Sequence, residues 1–173
     1  GNLYTYLLPD LPGGVIPERY IYSFDPATGA SARFATLSWQ QPIGDLHFSP
    51  DGSALMLLGV DAVYAMGPDA TFAPVLTAAD GLSFPYRMVY DIHGDLYVMN
   101  SGTRSILRFE GGSGPAQTVA DAADGILDVG PIAVAPDGTV YYAIQDTSNI
   151  IRVTPDGVGA LFATLPNRRA IGA

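Results

Sequence analysis

The stretch Ile43–Leu58, IGDLHFSPDGSALMLL, decides the fold, because the chain repeats it. It returns as YRMVYDIHGDLYVMN from Tyr86 and as GPIAVAPDGTVYYAI from Gly130, and the turn glycines Gly52, Gly94 and Gly138 sit 42 and 44 residues apart. A second half follows each copy: IYSFDPATGASARFATL from Ile21, VYAMGPDATFAPVLT from Val63, ILRFEGGSGPAQTVA from Ile106 and IRVTPDGVGALFATL from Ile151. With Ile150 as the first residue of the last copy, these starts are 42, 43 and 44 residues apart.

Each unit holds four short apolar runs bounded by Gly, Pro, Asp or Asn, with period-2 alternation in LYVMN and TVYYAI. The joints SPDG, APDG and TPDG suit hairpins: Pro presets a turn torsion, Asp bonds to nearby backbone, and Gly accepts a positive φ. No segment carries a helical stripe. A period near 43 residues with four antiparallel strands predicts an all-β protein, a β-propeller of four four-stranded blades.

On this reading residues 1–173 form one propeller domain. Blade 1 spans 1–41 and lacks its first strand, blade 2 spans 42–83, blade 3 spans 84–127 and blade 4 spans 128–168. Residues 169–173 would begin a closing or next-blade strand. Three arrangements fit that phase: a self-closed four-blade ring, an arc of a larger propeller, or a blade completed by a neighbouring chain through strand addition. The one irregular joint, from Pro9 to Tyr20, is a Pro- and Gly-rich insertion between the second and third strands of blade 1.

Composition closes off several chemistries. The 173 residues include no cysteine, which excludes disulfides, thiolate nucleophiles and cysteine-ligated metals. All eight basic residues are arginine, so no lysine is present for a Schiff base or phosphate loop. A net charge of −9 repels polyanions and argues against nucleic-acid partners. No apolar run is long enough to span a membrane as a helix. The apolar content of 48% is that of a folded chain.

Polar residues at strand ends are the candidates for function. Asp45 and Arg87 share a column at the entrance of a first strand, where opposite charges on neighbouring blades can pair or grip a polar ligand. Asn100, Arg104, Asp146 and Asn149 lie in the joints between second and third strands, where side chains of adjacent blades can converge. Asx residues there also stabilise turns locally. Trp39, outside the repeat consensus, is a candidate surface anchor. His47 stands in the column of Val89 and Ala133 and is the one candidate general base, with packing between blades as its structural role. His93 sits in a turn column with Asp51 and Asp137. Tyr4, Tyr97 and Tyr141 form a column expected to pack between blades, and Arg108 and Arg152 are expected to brace blades by pairing with turn acids.

At DLYVMNSGTRSILRFE (95–110) and GPIAVAPDGTVYYAIQDTSNIIRVTPDG (130–157) the chain resembles the NHL-repeat and senescence-marker/gluconolactonase group of propellers. The second string also resembles the repeats of virginiamycin B lyase. The resemblance implies six or seven blades in active members, with either a divalent metal held by Glu, Asn and Asp or a histidine base beside an acidic partner. Glu18 and Glu110, the only glutamates, fall in the insertion and in a hairpin rather than on an inner strand.

The sequence therefore favours a non-catalytic, extracellular or periplasmic propeller. It would serve as a scaffold or protein-interaction module, self-assembling in its stronger form through unpaired sheet edges. No cofactor and no metal ligands are assigned on that reading. The alternative is a lactonase- or lyase-type propeller enzyme, or a fragment of one. Its channel would hold a divalent cation, with Asp45, Asn100 or Asp146 as oxygen ligands.

Overall fold

The computed structural model describes residues 3–7, 18–38, 44–67, 71–128, 130–144 and 147–166. They form four antiparallel sheets. Blade 1 contains β1 (Leu3–Leu7), β2 (Glu18–Phe24) and β3 (Ser31–Ser38). Blade 2 contains β4 (Asp45–Phe48), β5 (Leu55–Leu58), β6 (Val63–Met66) and β7 (Phe72–Leu76). Blade 3 is β8 (Pro85–Tyr90), β9 (Leu96–Asn100), β10 (Ser105–Phe109) and β11 (Ala116–Ala120). Blade 4 is β12 (Ile132–Val134), β13 (Val140–Ala143), β14 (Asn149–Val153) and β15 (Gly159–Thr164). Strands are ordered in each sheet as they are in the chain, which is the meander of a propeller blade.

The first strands β4, β8 and β12 lie side by side, β8 touching both of the others, and so form the inner rim. Among the described residues the sheet of blade 1 holds three strands, in the order β1-β2-β3. The segments expected to close or complete that blade, and the Pro9–Tyr20 insertion for most of its length, lie outside the described residues.

Period-2 patterning explains how the blades stack. The sheets of blades 2 and 3 bury both faces, one against the blade before and one against the blade after, so inner strands such as β9 read as continuous apolar runs. Ile21, Ala35 and Leu37 of blade 1 pack on Leu55, Leu57 and Met66 of blade 2. Met56, Leu58 and Val63 of blade 2 meet Leu96, Val98 and Phe109 of blade 3. Tyr97, Met99 and Ile106 of blade 3 meet Val140, Tyr142 and Ile151 of blade 4. Among the described residues no such core joins blade 4 to blade 1.

Two local devices repeat with the blades. The outer strand pair of every blade carries a bulge at the same place, at Ile21/Tyr22, Val63/Tyr64, Ile106/Leu107 and Ile150/Ile151. An extra residue there raises the local twist, which fans the outer strands away from the axis. The links from blade 2 to 3 and from 3 to 4 each contain a short 3₁₀ turn with a reciprocal capping box, Thr77 with Asp80 and Asp121 with Asp124. Each ends on a left-handed glycine, Gly81 or Gly125, at φ 94° and 93°. The next residue, Leu82 or Ile126, is driven into the inter-blade core.

Candidate functional site

The candidate residues lie on one face of the blade array, where first strands begin and second strands end. At the inner rim Asp45 opens β4 and His47 follows two residues on, so period-2 alternation puts both side chains on one side of the strand. Leu46 points the other way, into the core shared with blade 1. His47 Nε2 lies 3.5 Å from Asp45 Oδ1, with the two side chains 36% and 22% exposed. Asp45 Oδ2 accepts from the Met88 N–H of blade 3 at 3.2 Å, and Oδ1 from the Leu46 N–H at 3.0 Å. Burial works against ionisation of this carboxyl, but the bonds from His47, Met88 N–H and Leu46 N–H outweigh it and hold it below the usual carboxylate range.

Arg87 does not pair with Asp45. Its guanidinium donates instead to the carbonyls of Gly44 at 2.8 Å and Tyr86 at 3.0 Å, and stacks 4.4 Å from the Tyr86 ring centroid. The ion pair that the shared column suggests is thus replaced by two reciprocal ties. The carboxylate of blade 2 grips the backbone of blade 3, and the guanidinium of blade 3 grips the backbone of blade 2. The physical reason is local supply: unpaired strand-end N–H and C=O groups lie nearer than the opposite charge.

Asn100, which ends β9, is buried and fully engaged. Its Oδ1 accepts from Ser83 N–H at 2.6 Å, and its Nδ2 donates to Gly81 C=O at 3.0 Å and Thr103 Oγ1 at 2.7 Å. It fastens the link from blade 2 to the joint after β9. Asn149 opens β14, and its Oδ1 accepts from Thr164 Oγ1 across the outer strand pair at 2.9 Å. Arg104 is exposed and holds a left-handed backbone at φ 51°. Trp39 and Asp146 lie outside the described residues.

The described residues do not fit a bound divalent cation. They contain no group of three or more His, Asp or Glu side chains placed to hold one, and the amide of Asn100 is consumed by the fold. Glu18 begins β2 and Glu110 sits in a hairpin turn, so neither lies on an inner strand.

Sequence reasoning missed Phe84, at the head of the link into β8. It is 66% exposed and adopts φ 48°, a conformation that bulky residues rarely accept. Its carbonyl takes bonds from Ser101 N–H at 3.1 Å and Ser101 Oγ at 2.5 Å, and Gly102 N–H bonds to Ser83 C=O at 2.9 Å. A Cβ on Gly102 would lie 2.1 Å from Ser83 Oγ, so only glycine lets these two loops come so close. No period in the sequence announces this, because it depends on two loops meeting.

Two further expectations concern the scaffold. The Arg108 guanidinium grips the buried Asp95 carboxylate, its Nε donating at 2.9 Å, and Asp95 also accepts from Gly111 N–H at 2.8 Å. In blade 4 the counterpart of Asp95 is Thr139, so Arg152 lacks the corresponding acid and its side chain stays exposed. Tyr97 packs between blades as its column predicts. The opposite face, made of the hairpin turns, also holds a recess. Of about 620 Å³, it lies between blades 3 and 4, walled by Asp91, His93, Tyr97, Arg108, Asp137 and Asp156. None of the candidate residues read from the sequence lines it.

No family profile matches the chain, and no curated protein sequence matches it. Solved structures do. Virginiamycin B lyase from Staphylococcus aureus, in a catalytically inactive histidine-to-alanine variant with quinupristin, superposes with TM-score 0.64 at 13% identity, over 97% of this chain and 61% of that one. The calcium-binding protein regucalcin from Agrobacterium tumefaciens gives 0.62 at 16% identity, over 85% and 56%. A gluconolactonase from Xanthomonas campestris gives 0.61 at 17%, over 87% and 59%. The fold is thus the β-propeller of the group that the repeats resemble. The chain spans about three-fifths of the length of these proteins. No helix among the described residues is long and apolar enough to cross a membrane.

Proposed function

We propose that this chain forms part of the wall of a lyase- or lactonase-type propeller enzyme that opens cyclic esters, with His47 as general base and Asp45 as the carboxylate that orients it. This is the enzyme alternative rather than the non-catalytic scaffold that the sequence favours. The observation that carries it is the Asp45–His47 pair on the innermost strand of blade 2, with the imidazole about one-third exposed. Of the two histidines, His93 lies on a turn of the opposite face, which leaves His47 as the rim base. Support comes from the neighbours, which are lyase and lactonase propellers, and from the loss of activity when a histidine of the lyase is replaced by alanine.

As general base in a lyase reaction, His47 takes a proton from the carbon next to the one bearing the ester oxygen, so that a C=C bond forms as the alkyl C–O bond breaks and the carboxylate leaves. In a lactonase reaction it takes the proton from a water whose oxygen adds to the lactone carbonyl as the acyl C–O bond breaks, and the leaving alkoxide takes the proton back from the imidazolium. The ionised Asp45 then stabilises the imidazolium and fixes its orientation. Two ring-opening assays, with a six-membered sugar lactone and with a cyclic depsipeptide such as quinupristin, separate the two chemistries. His47→Ala is expected to lower turnover by about a hundredfold or more, and Asp45→Asn by roughly tenfold. Full activity of His47→Ala, or no wild-type turnover of either ester, would overturn the proposal.

A further inference from the structure

The recess on the turn face is walled by residues of blades 3 and 4, both of them four-stranded sheets. Asp91 stands in the turn between β8 and β9, Asp137 in the turn between β12 and β13, and Asp156 in the turn between β14 and β15. Acids of two blades thus line one hollow. The arginine in the wall, Arg108, already has its charge spent on Asp95. Asp91 Oδ1 accepts from the N–H groups of His93 at 2.8 Å and Asp95 at 3.0 Å, and Asp137 Oδ1 accepts from Thr139 N–H at 2.9 Å. Asp91 Oδ2 and the exposed carboxylate of Asp156 keep their accepting capacity.

Turn acids of this kind can simply serve their turns. Tyr97 has no such role. It is only 4% exposed, packs in the core shared with blade 4, and lines the recess. Burial pushes its phenol up, and the charges that act on it are those of Arg108, Asp91 and Asp95. Arg108 and Asp91 are recess residues, so the hydroxyl is the end of the side chain that reaches the hollow. That hydroxyl has no hydrogen-bond partner among the described residues. The other buried tyrosine of the same core, Tyr142, accepts from Asp128 N–H at 3.2 Å. A buried phenol normally finds a partner, and this one is held at a recess wall with its capacity unspent.

We infer that this recess binds a small organic cation of the alkyl polyamine class, whose ammonium groups donate to Tyr97 Oη and to the carboxylates of Asp91, Asp137 and Asp156. Pro136 and Pro155 give the methylene stems an apolar wall, and a hollow of about 620 Å³ is of ligand size. A divalent metal ion fits less well, since no three acids among the described residues are placed to hold one. A neutral sugar would leave the carboxylates without counter-charge. The site lies on the turn face and stands apart from the chemistry proposed for His47.

The probe is spermidine, titrated into the protein by calorimetry at about 150 mM salt, where screening weakens diffuse attraction to the net charge of −9. Glucose and calcium chloride are titrated in parallel. Wild type is expected to take up one spermidine with a Kd of about 1 mM or below. Tyr97→Phe should weaken binding by about fivefold while denaturant stability stays equal or rises, because the lost hydroxyl bonds to nothing in the fold. Asp156→Asn should weaken binding by about threefold. Asp25→Asn, the same charge change in a turn of blade 1, should leave binding unchanged. Absence of saturable uptake, or equal weakening by Asp25→Asn, would overturn the inference. So would a Tyr97→Phe variant that binds like wild type or loses stability, or tighter uptake of glucose or calcium than of spermidine.

Discussion

Asp45 opens the first strand of blade 2 and Asn100 ends the second strand of blade 3, yet they have opposite fates. Asn100 spends both ends of its amide on the link from Gly81 to Ser83 and on Thr103. Asp45 keeps one oxygen beside an imidazole that is itself partly open to solvent. The difference is one of supply. The joint after β9 meets a second loop whose backbone groups need partners, whereas the start of β4 meets β8 of blade 3 through Met88 and Arg87 and keeps His47 beside its carboxylate. A polar residue is available for chemistry only where the fold leaves its bonding capacity unused.

The sharpest way to break this comparison is Asn100→Ala. It strands the Ser83 N–H and the Gly81 carbonyl in a buried site, so denaturant unfolding should show a loss of about 3 kcal/mol. Any ring-opening activity per folded molecule should stay unchanged. An Asn100 variant of normal stability but lost ligand binding would place that residue in the site after all.

Asp95→Asn comes next. It removes the charge that holds Arg108 while keeping the shape, and should cost about 2 kcal/mol by the same measurement. Arg108→Ala should cost a similar amount. If either is neutral, the pair is an ornament of blade 3 rather than its brace.

Acid should act in the same direction. Asp45 and Asp95 are held below the usual carboxylate range, and the hydrogen bonds of Ser49 and Ser53 hold Asp51 at about 2. A folded-state value below the unfolded one contributes stability that is complete above the unfolded pKa. That stability is lost as pH falls through the folded value. Stability should therefore decline below about pH 4, and Asp95→Asn should flatten that decline. A variant with the wild-type acid profile would count against the Asp95 contribution.

Asp45→Asn should cost only about 1 kcal/mol, since the amide oxygen can still accept from Met88 N–H. A clear pH-dependent loss of turnover alongside this small effect would sharpen the contrast with Asn100. The smallest effect belongs to Arg104→Gly, which relieves a left-handed non-glycine backbone. Thermal unfolding should show a gain or loss of no more than about 0.5 kcal/mol. A large loss there would mean that the Arg104 side chain holds the joint.

Much of the architecture was legible because a repeat writes each structural instruction several times. The PDG turns, the aromatic column and the I-x-R strand all recur in register, and the four sheets follow them. The Thr77–Asp80 and Asp121–Asp124 capping boxes were legible too, as TAADGL and DAADGI, although the strand pattern drew the eye away from them. The candidate site was less so. That Arg87 would choose Gly44 over Asp45, and that Phe84 would be held in a left-handed turn, cannot be read from spacing. Those outcomes depend on which backbone groups arrive unpaired at the same point.

The sequence by itself determined the blade, its period, its hairpins and the alternation that gives every sheet two apolar faces, since these rest on local torsions and on the period of two. It also excluded cysteine and lysine chemistry from these residues. The tertiary structure alone decided which polar groups are spent on the fold and which stay open. Hydrogen bonding saturates and apolar surface is covered only by specific neighbours, so both depend on what meets in space and not on any single strand.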